Sequence, residues 1–167
     1  MGDIEEAARH AIPGAAEIVA GSGGLPCVRL TAAGAEAVVY LQGATVTRYQ
    51  PAGQAPVLFL SRASRFQRGA PIRGGVPIVF PWFAQHATVP EAPMHGFART
   101  APWRLVATTR DDAGTVEATF ELTRAEATHA VWPHPYRLRY RVRLGQALEL
   151  VLTAENADSQ PVTFEAA

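Results

Sequence analysis

The sequence predicts an all-β protein built as a sandwich of short strands, and three features carry that prediction. About ten short runs rich in Val, Ile, Thr and Tyr are separated by Gly-containing breaks. No segment sustains the apolar period of a long helix. Residues 136–144, Tyr-Arg-Leu-Arg-Tyr-Arg-Val-Arg-Leu, alternate perfectly between apolar side chains and arginines, as a strand with one buried face does.

Taken in order, residues 1–12 read as a short helical turn or a frayed lead-in, ended by Pro13-Gly14. Strands are then expected at 16–20, 27–31, 35–41 and 44–50, close enough together for a meander. The continuous apolar run Val57 to Leu60 reads as a buried strand, and Arg62, Arg65 and Arg68 follow it. Residues 103–109 and 115–122 form a hairpin around Asp111-Asp112-Ala113-Gly114, and residues 126–135 a loop. Strand 136–144 pairs with 147–154, and Val162 to Phe164 begins one more strand. The arginine row of 136–144 is read as a solvated face balanced by Glu117, Glu121 and Glu149 on neighbouring strands, in preference to a phosphate or nucleic-acid strip.

Residues 1–167 are read as a single domain, and 48% hydrophobic residues are enough to build its core. Fifteen arginines, with no lysine, balance fifteen acids, so nothing in the charge argues for general nucleic-acid or membrane binding. Cys27 is alone, which precludes an intrachain disulfide. The acidic start lacks the pattern of a signal peptide and no run approaches the roughly 20 apolar residues of a membrane span, so a cytoplasmic location is expected.

The chemistry concentrates between Ala70 and Trp103. Arg73-Gly74-Gly75 places a guanidinium beside two glycines, whose freedom at positive φ is expected to let backbone approach a ligand, as an anion site requires. The run 76–83 carries Pro77 and Pro81, so it reads as an edge or extended segment leading into a pocket wall, with Trp82 and Phe83 as flat faces. His95-Gly96-Phe97-Ala98-Arg99 follows, and an extended backbone would point His95 and Arg99 to one side. Each residue alone reads equally well as a surface charge or turn residue; their combination is what points to a site.

The pair IRGGVPIVFPWF and MHGFAR resembles the signature of the glucose-6-phosphate 1-epimerase (hexose-6-phosphate mutarotase) family, relatives of the aldose 1-epimerases. VVYLQGATVTRYQ, VLFLSRASRF and WPHPYRLRYRVRL resemble further segments of it. The resemblance implies a β-sandwich of the galactose-mutarotase type, incomplete at its C-terminus, with a sugar in an open cleft. It implies that Arg73 contacts phosphate or sugar, with Arg68 and Arg99 as companions, and that His95 supports the substrate. It implies interconversion of the α and β anomers of a hexose 6-phosphate.

That reaction needs a general acid and a general base. The family's acid histidine and base glutamate have no counterpart here, and His10, His86, His129 and His134 are not placed to inherit those roles. The chain therefore reads as a fragment that is inactive or weak alone, inclined to self-association or to pairing with a complementing C-terminal half. The alternative is a non-catalytic carbohydrate-binding sandwich using Trp82, Phe83 and Trp132 as stacking faces. No cofactor is expected, and neither a zinc-ligand spacing nor a GxSxG nucleophile motif is present.

Overall fold

A computed structural model describes residues 2–167; Met1, the first residue of the expected helical lead-in, lies outside them. Alternation sets the architecture. The first sheet runs β1 (Ala16–Ala20), β2 (Pro26–Ala32), β3 (Ala35–Tyr40) and β4 (Val46–Gln50), each antiparallel to the next. The second runs β5 (Arg104–Arg110), β6 (Val116–Thr123), β7 (Tyr136–Leu144) and β8 (Leu148–Asn156), again a meander. A short helix, α1 (Gly2–Ala8), packs across β1 and β5.

In β7 every apolar residue is buried and every arginine exposed, as the alternation demands. Val28 and Leu30 of β2 and Val39 of β3 share one core with Phe120 and Leu122 of β6 and Leu138 and Val142 of β7. Burial of each such side chain stabilises the fold by roughly 1.5–3 kcal/mol. Within this core, Tyr140 keeps a buried hydroxyl without a partner among the described residues, and desolvation pushes that phenol well above its ordinary pKa.

The outer face of the second sheet neutralises the arginine row. Glu121 accepts from Arg104 across β5 at 2.6 Å and from Arg139 across β7 at 3.3 Å, its direct partners in the register. Arg141 lies 3.8 Å from Glu117, and Arg143 lies 3.4 Å from Asp111 and 3.7 Å from Glu149. These arginines are a paired, solvated face.

Between the sheets, residues 51–103 cross with isolated bridges only: Val46 to Val76, Leu60 to Gly74, Phe80 to Gly96 and Gln42 to Pro102. The expected strand at Val57 to Leu60 is one correction. Val57 and Phe59 are 61% and 76% exposed, and the run is held by single backbone bonds, Val57 N–H to Tyr49 and Gly75 N–H to Phe59. Hydrophobicity alone could not show that no strand lies alongside to bury it. The expected strand at Val162 to Phe164 is a second: pairing begins later, with Glu165 N–H donating to Pro81 and Val79 N–H to Ala167.

Two expectations follow. Tyr140→Phe removes a hydroxyl that has no partner, so it should leave stability unchanged or raise it by about 1 kcal/mol in a urea unfolding experiment; a loss above that size would reveal a missing acceptor. Burial pushes the Glu126 carboxyl up, but hydrogen bonds from the Thr123 hydroxyl and amide, with Arg104 beside them, outweigh it and hold its pKa below the ordinary value. The folded state therefore binds fewer protons, and this contribution is present above pH 4.5, the ordinary value, and is lost as pH falls through the lowered one. Glu126→Gln should flatten the acid limb of the stability–pH curve below that point.

Candidate anion-binding site

The two halves of the motif meet through backbone. Gly96 has φ +71°, and a Cβ there would lie 2.0 Å from the Phe80 carbonyl oxygen. That oxygen accepts from Phe97 N–H at 3.0 Å. Gly75 is equally confined, with φ +68° and a Cβ position 2.1 Å from the Val46 carbonyl oxygen. The glycines after Arg73 do take positive φ, but what approaches them is the protein's own backbone, Phe59 at Gly74 and Val46 at Gly75, rather than a ligand. Gly74 docks the arginine loop on residues 59–60, and Gly75 docks it on β4.

Arg73 is anchored at its main chain. Its N–H donates to Ser64 Oγ at 2.9 Å, and its carbonyl accepts from Ser61 N–H at 3.0 Å. With Arg65 it lines an open groove of about 530 Å³. Ser61 and Ser64 were not singled out in the sequence; of this loop only Arg62, Arg65 and Arg68 were noted, as leading toward the motif.

His95 closes a second loop. Its N–H donates to the Ala84 carbonyl at 2.7 Å, and Ala84 N–H donates to His95 Nδ1 at 3.0 Å. Both residues sit in the left-handed region, at φ 65° and 59°. Non-glycine residues adopt that region at a cost of order 1–3 kcal/mol, tolerated where the surroundings over-determine them. With Nδ1 accepting, the neutral imidazole carries its proton on Nε2, which is left as a donor. Phe83, 56% exposed, sets its ring edgewise to His95 at 5.0 Å. Its N–H donates to Glu165 Oε2 at 2.6 Å, a contact across 82 residues that no sequence signal announced.

Arg99 does not extend beside His95. Residues Ala98–Thr100 form a 3-10 turn, which replaces the extended geometry that would have aligned the two side chains, and Arg99 Nη2 donates back to the Met94 carbonyl at 2.6 Å. Arg99 Nε is buried with no acceptor among the described residues. Burial lowers the Arg99 pKa, and the nearby charge of Arg73 lowers it further. Neither guanidinium has a carboxylate partner among the described residues, whereas every arginine of β7 has one. Two like charges beside an orphaned N–H are what an oxyanion relieves.

The remaining candidates lie elsewhere. Arg68 is engaged by Asp3 at 2.7 Å and lines a different cavity. Trp82 is 7% exposed and donates Nε1–H to Pro93 at 2.9 Å; Trp132 is likewise buried and donates to Thr163 at 2.9 Å. Neither presents an open face for stacking. No cluster of three or more metal-ligating side chains occurs among the described residues.

A family model described as aldose 1-epimerase matches residues 26–167. The chain belongs to the aldose 1-epimerase family. Three curated relatives named "Putative glucose-6-phosphate 1-epimerase" come from Salmonella typhimurium (46% identical over 68% of this chain), Escherichia coli (45% over 67%) and Cenchrus ciliaris (33% over 77%). The chain covers 38%, 37% and 40% of their respective lengths. A crystal structure described as "a putative mutarotase (YeaD) from Salmonella typhimurium" superposes with a TM-score of 0.72 at 40% identity, covering 78% of this chain and 44% of that one. A second, HI1317, superposes with a TM-score of 0.61 at 28% identity, covering 78% and 45%. The expected all-β mutarotase sandwich is the fold found, and the chain spans about two fifths of these relatives' length.

The Phe80–Gly96 contact gives a test of this local architecture. Gly96→Ala should lower stability by at least ~2 kcal/mol, through left-handed strain and the clash with Phe80. Gly53→Ala, also at positive φ but with nothing within 4 Å, should cost only about 1 kcal/mol. Thermal unfolding of the two variants separates them.

Proposed function

We propose that this chain carries the phosphate-anchoring part of a hexose 6-phosphate mutarotase, with Arg73 and Arg99 as the anion site and His95 Nε2–H as a donor to the sugar. The observation that carries this reading is the buried, partnerless Nε–H of Arg99 beside a second guanidinium with no carboxylate. A phosphate dianion would take that N–H and offset the repulsion between the two cations. The names of the relatives point to the same class of ligand.

In the proposed reaction a base takes the proton from the C1 hydroxyl while an acid protonates the ring oxygen. The bond from C1 to the ring oxygen breaks, the aldehyde carbon rotates, and closure on the other face reverses both transfers. In this reading the residues described here bind and orient the sugar phosphate. The burial of Trp82 and Trp132 weighs against a stacking-based carbohydrate module. The half-buried leucines of β8 and its unpaired edge support self-association, or pairing with a complementing strand. A cytoplasmic sugar-phosphate pool is the setting this reading requires.

Arg73→Ala should weaken glucose 6-phosphate binding by about tenfold or more, as loss of a charge-assisted hydrogen bond would, while changing glucose binding less than about twofold. NMR titration of both ligands reads this directly. Equal loss for the two would make Arg73 a structural residue and sink the proposal.

A further inference from the structure

Two consecutive amides are held by side chains from distant parts of the chain. Phe83 N–H donates to Glu165 Oε2 at 2.6 Å, and Ala84 N–H, the next amide, donates to His95 Nδ1 at 3.0 Å. A short bond from an amide to a carboxylate is charge-assisted and roughly twice as strong as one between neutral groups. Glu165 has no cationic partner among the described residues, so its carboxylate is spent on that amide alone.

Backbone pairing brings Glu165 to this place. Its N–H donates to the Pro81 carbonyl at 2.9 Å, Val79 and Ala167 exchange N–H to carbonyl bonds at 2.8 and 3.3 Å, and the Phe164 ring lies 5.3 Å from Phe80. Residues 164–167 therefore run beside 79–81, and the Glu165 side chain reaches two residues further.

From Phe83 two routes lead to His95. The Phe83 ring stands edgewise to the imidazole at 5.0 Å, and the peptide that follows Phe83 supplies the N–H that Nδ1 accepts. That N–H decides the tautomer, because a neutral ring whose Nδ1 accepts must carry its proton on Nε2. The turn needs holding: Ala84 sits at φ 59°, a region non-glycine residues keep only where their surroundings over-determine them.

We propose that Glu165 is a positioning residue for His95: by holding the Phe83 amide it sets the turn that presents Ala84 N–H to Nδ1, and so keeps the donor proton on Nε2. Its bearing on sugar binding rests on the reading of His95 as a donor to the sugar; the tautomer itself does not.

Two-bond proton–nitrogen correlation NMR on histidine-labelled chain reads the tautomer, with His95 assigned by the signals lost in His95→Gln. The unsubstituted chain should show the Nε2–H form, and Glu165→Ala should give a mixture of both forms. Glu165→Gln keeps an oxygen acceptor and should preserve the single form; Glu165→Asp, whose carboxylate falls short of the amide, should behave as alanine does and serves if Glu165→Ala misfolds. Glu165→Ala should also weaken glucose and glucose 6-phosphate binding alike, about threefold or more, and should add nothing in a His95→Gln background. A merely structural role would lower binding in that background too. A His95 tautomer that neither Glu165→Ala nor Glu165→Asp changes, or a binding loss that persists in His95→Gln, would overturn the proposal. If the unsubstituted chain binds neither sugar, the mutarotase reading fails and the tautomer alone decides the role of Glu165.

Discussion

The close approach of the Phe80 carbonyl to Gly96 is the constraint on which the site depends. Residues 51–103 contain no paired strand of their own, so the segment is positioned by a few single contacts between the sheets. At this one, main chain meets main chain where any side chain would clash. Phe80 then carries a cluster of rings, with Phe97, Trp132, Tyr136 and Phe164 at 5.2–6.2 Å between centroids. Aromatic pairs at such spacing add about 0.5–1.5 kcal/mol each beyond their buried area. The ring cluster fixes the backbone of 80–83 and 96–98, and that backbone fixes His95 and Arg99 on either side of Gly96.

Arginine has two fates in this molecule, decided by what the fold sets opposite it. On β7 the register puts glutamates of β6 or β8 across from Arg137, Arg139 and Arg143, and Arg141 reaches Glu117 on the diagonal; the pairs lie at a solvated surface where each is worth little. In the 61–73 loop and the 98–100 turn no strand runs alongside; Arg68 finds Asp3 of α1, but Arg73 and Arg99 have no carboxylate partner among the described residues. Burial works against the charge of Arg99, and the nearby charge of Arg73 adds to it.

Much of this was legible in the sequence. The strands appeared within a residue or two because alternation and glycine breaks are local signals, and 136–144 showed both its faces. Arg73, His95 and Arg99 stood out as candidates from their motif. What the sequence could not convey was long-range. Val57 to Leu60 looked buried because hydrophobicity does not say whether a neighbouring strand exists, and Trp82 looked like a platform because spacing does not reveal that Pro93 takes its N–H. Gly74 and Gly75 announced a close approach correctly, but not that the approaching group was the protein itself. The resemblance made Arg68 a companion of Arg73, whereas Asp3 of α1 is its partner. The contact of Glu165 with Phe83 spans most of the chain.

The most direct test is to observe the Arg99 Nε–H itself, by proton–nitrogen correlation NMR on arginine-labelled protein titrated with glucose 6-phosphate. The account predicts a saturable downfield shift of that one resonance with slowed solvent exchange, as a buried donor gains a phosphate acceptor, and no such change with glucose. A resonance that stays in place while glucose 6-phosphate binds would show that the anion is held elsewhere and that Arg99 is only a structural strut.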